Sequence, residues 1–179
     1  MNKGLLIATG LLLVAAIYLA FVPLPVHPLV GKMAPDLELK LLDGDTFRLS
    51  DHRGSDIVVL DFWTTWCGPC LVTMPILEQI AREYEEKGVR FYTVNMAENP
   101  ANVRAFMRDI GVELRVALDP GFQVGRVYKV GPIPQTVLID KDGLVQAVYV
   151  GVSHNSSDEL RAELDTLLAG GRLVEKAAS

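Results

Sequence analysis

Cys67 and Cys70 are the chain's two cysteines, separated by Gly68 and Pro69. An almost continuous apolar run, Ile57 to Trp63, precedes the pair, and a helical pattern follows it. Two thiols at this spacing on a helix start can reach disulfide geometry. There the unpaired backbone N–H groups and the helix dipole favour a thiolate. Pro69 suits the first helical turn because it has no N–H to leave unpaired. The chemistry predicted is thiol–disulfide exchange. Cys67, exposed at the tip, attacks a partner disulfide, and Cys70, tucked behind it, resolves the mixed disulfide.

Two blander readings compete. A structural disulfide across four residues closes almost no loop and stabilises little. A zinc site needs two further ligands, and the three histidines, His27, His52 and His154, form no pair in sequence. No metal and no cofactor are therefore expected. His154 lies in a Ser- and Asn-rich turn and reads as a solvated loop residue.

Asp61 is the other residue whose type and place suggest chemistry. It interrupts the apolar Val58-Val59-Leu60 and Phe62-Trp63. Burial of a carboxyl there raises its pKa and lets it relay a proton near neutrality. The alternative is a carboxylate pointing to solvent at a strand end. Of the two nearby indoles, Trp66 beside Cys67 is expected to shape a docking surface and Trp63 to lie in the core.

These groups need a frame. The Ile57–Trp63 run reads as a strand covered on both faces. Residues 69–87 read as a helix, with Gly88 as a stop and Pro75 as a kink. Upstream, Leu37, Leu39 and Leu41 alternate with polar residues, and Asp43-Gly44 turns into Thr46–Leu49, a hairpin signal. Downstream, Val89–Met96 reads as a strand, and Asn99-Pro100 opens a helix that ends near Gly111. A short strand over Leu114–Leu118 and a short helix over Phe122–Tyr128 follow. Thr136–Ile139 and Leu144–Val150 flank an Asp142-Gly143 turn. Ser156-Ser157-Asp158-Glu159 is a capping box for a last helix that stops near Gly170. The order predicts an α/β domain: a central mixed sheet flanked by helices on both faces.

The whole chain sets outer bounds. Its 179 residues are half apolar and 22% charged, enough for one domain with a sizeable core. A net charge of −5 without any basic block argues against nucleic acid as a partner. After Lys3, residues Leu5 to Val22 carry no charge. At about 1.5 Å per residue this run spans roughly 27 Å, near the hydrocarbon thickness of a bilayer. No A-x-A cleavage pattern follows it and no cysteine stands near to take a lipid, so an uncleaved anchor is expected. Lys3 favours an N-terminus inside the cytoplasm and the remainder outside. The resulting division is an anchor at 1–22, a Pro-rich tether at 23–35 and a domain at 36–179.

Phe62-Trp63-Thr64-Thr65-Trp66-Cys67-Gly68-Pro69-Cys70 closely resembles the active-site segment of thioredoxins. From Gly31 to about Leu168 the pattern is similar to the membrane-tethered TlpA/ResA/CcmG-like branch of that fold. Leu29-Val30-Gly31-Lys32, Ala34-Pro35, Leu42-Asp43-Gly44, Leu49-Ser50 and Ile133-Pro134 carry the likeness. The resemblance implies a thioredoxin-like fold with an N-terminal β-hairpin extension. It implies that Pro134 is a cis proline packed against the disulfide and that Ile133 presents its backbone to substrate. With Trp66, Gly68 and Pro69, these two residues make the expected substrate-binding set. It implies that Asp61 helps to deprotonate Cys70. Many members of the branch carry a Glu three residues after the second cysteine; this chain has Thr73 there, which leaves Asp61 as the candidate acid.

The reading that results is a membrane-anchored thiol–disulfide oxidoreductase in the bacterial inner membrane, its catalytic domain periplasmic or otherwise extracytoplasmic. The Gly-Pro dipeptide is that of thioredoxin, whose potential is about −270 mV, and favours a reductase of protein disulfides. A membrane electron-donor protein is implied, and by resemblance cytochrome c maturation is the expected pathway. Two rivals differ in class. A thiol peroxidase is suggested by Thr64 three residues before Cys67, but Leu60 stands where a peroxiredoxin carries Pro. A copper-delivery protein of the redoxin fold would need three residues between the cysteines and a ligating His.

Overall fold

In the computed structural model, which describes residues 27–152 and 157–174, every residue of the Ile57–Trp63 run is buried. That run is β3 of a seven-stranded sheet. The other strands are β1 (Glu38–Leu41), β2 (Thr46–Arg48), β4 (Val89–Met96), β5 (Val116–Asp119), β6 (Gln135–Ile139) and β7 (Val145–Val150). Their spatial order is β2-β1-β5-β4-β3-β6-β7. β3 runs parallel to β4 and antiparallel to β6, and β4 runs parallel to β5, so the sheet is mixed. The anchor expected at 1–22, the first tether residues, His154 and Ser156 of the capping box lie outside the described residues. Among those described, no helix is long and apolar enough to cross a membrane.

Period-two alternation along β3 divides the core. Val58, Leu60 and Phe62 enter one face, with Phe47, Tyr92 and Tyr128. Ile57 and Val59 enter the other, against Leu77 and Ile80 of α1 (Gly68–Tyr84) and Leu160 and Leu164 of α4 (Ser157–Leu168). Trp63 continues that second face and packs with Val103 and Met107 of α2 (Pro100–Ile110). The first face is covered by the short α3 (Gln123–Val127) and by residues around Leu29–Leu37. Each large apolar side chain buried this fully contributes about 1.5–3 kcal/mol. The cysteine pair therefore follows a strand buried along its whole length.

Helix boundaries follow local chemistry. α1 continues into a 3₁₀ turn at Glu85–Lys87 and stops at Gly88, whose φ of 90° costs a glycine nothing. It passes through Pro75 without interruption, with that proline on the exposed side. α2 begins where the Asn99 side chain accepts the Ala101 N–H and Pro100 takes the first position.

The latter part of the expected tether differs from the sequence reading. Gly31 donates to the Val145 carbonyl, Val145 to that of Lys32, and Ala34 to that of Gly143. Ala34 is buried, and Leu29 and Val30 pack on the core. The prolines suggested an extended linker, but the edge of β7 offers unpaired backbone groups, and this segment satisfies some of them. The packed domain begins several residues before Asp36.

Candidate active site

β3 ends at Trp63, and four residues later Cys67 caps α1. Cys67 has extended dihedrals, φ −82° and ψ 94°, and its Sγ accepts the Cys70 N–H at 3.2 Å. The sulfur thus occupies the place of an N-cap acceptor, facing the positive end of the helix. Cys67 and Cys70 form a disulfide with an S–S distance of 2.02 Å. Cys70 is fully buried, and Cys67 keeps only 4% of its surface. The expectation of an exposed first cysteine is corrected in this oxidised form. Both cysteines belong to an apolar cluster with Trp63 and Met74, and Ile133 packs against it.

The surroundings of the pair are open. Trp66 is 74% exposed, Gly68 and Pro69 are exposed, and Leu71 and Val72 present further apolar surface on the first turns of α1. The Ile133–Pro134 peptide bond is cis. Ile133 is half-buried and Pro134 buried, and Pro134 leads directly into β6. Trp63, by contrast, is wholly buried.

Asp61 lies two residues before Trp63, on the strand face that α1 covers, and is buried. Its Oδ1 accepts the Thr136 hydroxyl at 2.8 Å, while Oδ2 is buried with no hydrogen-bond partner among the described residues. Loss of solvent pushes its pKa up to about 7, with the Thr136 bond pulling the other way. A carboxyl so placed exchanges protons in the neutral range. Thr73 is also buried, and its hydroxyl donates to the Cys70 carbonyl at 2.9 Å.

Two groups at the site escaped the sequence reading. The half-buried Glu98, in the loop after β4, takes hydrogen bonds from the Thr65 N–H, the Thr65 hydroxyl and the Asn95 side-chain amide. The one available signal was topological: loops after adjacent parallel strands emerge side by side. Thr136 looked like an ordinary strand residue, and only the Asp61–Thr136 register brings the two together.

A redox cysteine pair at the helix start behind a central strand, with the residue before a cis proline packed on its cluster, defines a thioredoxin-like redox protein. The model of the AhpC/TSA family matches residues 30–148. The thiol-disulfide oxidoreductase ResA of Geobacillus thermodenitrificans is 37% identical over 138 residues, covering 77% of this chain and 78% of its own. Among solved structures, one assigned to the thiol:disulfide interchange protein DsbE of Chlorobium tepidum has a TM-score of 0.72 at 34% identity, covering 78% of this chain and 97% of that one. The exposed lipoprotein thioredoxin of Streptococcus pneumoniae has a TM-score of 0.65 at 30% identity, covering 74% of this chain and all of that one. The chain belongs to the AhpC/TSA family and is a thiol–disulfide oxidoreductase of thioredoxin-like fold.

Proposed function

We propose that this enzyme reduces protein disulfides outside the cytoplasm, with Cys67 as nucleophile, Cys70 as resolving thiol and Asp61 as proton relay. The observation that carries the proposal is the Cys67 sulfur at the N-cap of α1, bonded to the Cys70 N–H. In the dithiol form that position stabilises a thiolate. The thiolate attacks a substrate disulfide, forming a Cys67–substrate bond and expelling one substrate thiolate. Asp61 accepts the Cys70 proton, and the Cys70 thiolate then attacks the Cys67 sulfur. The second substrate thiol leaves, and Cys67–Cys70 is the product. Two electrons have passed to the substrate, so each turnover needs a dithiol donor.

The substrate-docking role falls to Trp66, Gly68 and Pro69, favoured by their exposure around the disulfide, and to Ile133 and Pro134, favoured by the packing of the half-buried Ile133 on the disulfide's cluster ahead of the buried cis Pro134. The domain is tethered to a membrane helix at 1–22 through the proline-rich segment 23–35, whose later residues are docked on the domain, with the β1–β2 hairpin as its N-terminal extension. The length and apolarity of Leu5–Val22 support the anchor. The exposed location of the pneumococcal relative accords with an extracytoplasmic domain. A membrane dithiol protein supplies electrons, and the haem-binding cysteines of cytochromes c are the proposed substrates.

The reduction potential of the Cys67–Cys70 couple tests the direction. A value near that of thioredoxin, about −270 mV, is expected; a value of about −120 mV belongs to an oxidant and would overturn the reductase reading. A Cys70→Ser variant is expected to accumulate mixed disulfides with its substrates. Failure to trap any would remove the assigned roles of the two thiols.

A further inference from the structure

Thr136 is the neighbour of Asp61 across the β3–β6 ladder, and it lies two residues beyond the cis proline. Residues two apart on a strand share a face. Pro134 and Thr136 therefore stand on one side of β6, the side on which β3 carries Asp61 and Trp63. Across the other ladder, Asp61 is level with Thr93 of β4, another buried hydroxyl residue. The Thr93 hydroxyl is directed to the Arg115 carbonyl at 3.4 Å. Thr136 is thus the described side chain that bonds the carboxyl, and of its two oxygens it bonds Oδ1.

We infer that Thr136 is a positioning residue for the Asp61 relay: its hydroxyl fixes the carboxyl plane and occupies Oδ1, leaving Oδ2 as the oxygen that gains and loses the proton. The inference rests on the relay reading given above. The geometry supplies its argument. A carboxyl on a strand can rotate about its terminal torsion, which is broad and roughly two-fold. A bond to Oδ1 from a residue of the same sheet removes that freedom. Oδ2 is buried and takes no hydrogen bond from the described residues, which makes it the oxygen open to the proton.

Among the described residues, no other charged group acts on Asp61. From β4 comes Thr93 and from β6 Thr136. α1 covers this face with Cys70, Thr73 and Leu77, and α4 with Leu160 and Leu164. Burial and the Thr136 hydroxyl are the influences on its titration. The hydroxyl favours the anion, so losing it should raise the midpoint. In the dithiol form Cys70 adds a thiol to this set.

The test is the titration of the Asp61 carboxyl carbon in the oxidised protein, followed by NMR, in wild type, Thr136→Val and Thr136→Ser. The midpoint is expected to rise by about one pH unit in Thr136→Val and to return in Thr136→Ser. In wild type the Thr136 methyl resonance should titrate with the same midpoint, a readout that needs no variant to fold. A midpoint unmoved by Thr136→Val, or a Thr136 signal blind to the titration, overturns the inference. The relay itself is judged separately, by resolution of the mixed disulfide in Asp61→Asn. If that rate is unchanged while the Thr136 effects stand, the relay fails and the positioning of the carboxyl survives.

Discussion

The carboxylate of Glu98 accepts both the backbone N–H and the hydroxyl of Thr65, at 2.7 and 2.5 Å, across 33 residues of sequence. It also accepts the Asn95 amide at 2.7 Å. One side chain therefore joins the end of β4 to the loop that carries Trp66 and Cys67. Charge-assisted bonds of this kind are about twice as strong as neutral ones. The loop before the cysteine pair is held from outside its own strand and helix.

Glu98→Ala should release that loop. It leaves the Thr65 N–H and the buried Asn95 amide without their acceptor, at a cost of about 1–3 kcal/mol in unfolding free energy. Amide exchange at Thr65 and Trp66 should quicken with it. Denaturant unfolding and hydrogen exchange of the oxidised protein measure the two effects. Unchanged protection at Thr65 would mean that the loop is held by other contacts.

Much of this frame is legible in the chain and some is not, for physical reasons. Ile57–Trp63 announces itself because a strand buried on both faces must be apolar throughout. The Cys67-Gly68-Pro69-Cys70 segment does so because helix-start chemistry leaves few residue choices. Asp61 stands out as a carboxyl within that apolar run. Contacts at long separation leave no such mark: Glu98 reads as one acid in a loop and Thr136 as one β-branched residue in a strand. The near-complete burial of Cys67 was equally hidden, since it arises from the cluster of Trp63, Met74 and Ile133 around the disulfide. Residues 27–35 misled because prolines describe local stiffness, whereas docking on the β7 edge is a tertiary event.

Thr73→Val should leave mixed-disulfide resolution within about twofold of wild type. The Thr73 hydroxyl is spent on the Cys70 carbonyl inside the helix, a back-bond of little energetic weight. Valine keeps the shape and removes only that bond. Single-turnover kinetics with a peptide disulfide checks it. A large slowing would give Thr73 a part in proton transfer that the present scheme denies it.

Gly125→Ala should destabilise the fold by about 1–3 kcal/mol. A Cβ there would lie 2.3 Å from Cε2 of Phe122 and 3.0 Å from Sδ of Met96. Its N–H also donates to Oδ2 of the buried Asp119, so the backbone has little room to retreat. The Phe122 ring must move instead, at the start of the short helix that precedes the cis-proline segment. Thermal and urea unfolding report the loss, and a neutral outcome would mean that the ring swings out freely.

The pH dependence of stability should carry the signature of Asp61. Its folded pKa is about 7 against an ordinary 3.8, so between those values the native protein holds a proton that the unfolded chain has released. Stability from this source is complete below about pH 4, declines as pH rises toward 7, and is lost above that. Three units correspond to at most about 4 kcal/mol, at 1.36 kcal/mol per unit. Glu38, Asp56 and Glu83 are held below the ordinary carboxylate range, by Arg48, by His52 and Arg90, and by Arg161, and so act with the opposite sign at lower pH. They are common to wild type and Asp61→Asn and cancel in the difference. The variant cannot release a proton, so its stability relative to wild type should climb steadily from pH 4 to 7 and then level off. Urea unfolding of both oxidised proteins across that range measures the curve. A flat difference would show that Asp61 is already ionised in the native protein throughout, and the relay would lose the near-neutral midpoint that lets it return the proton it takes.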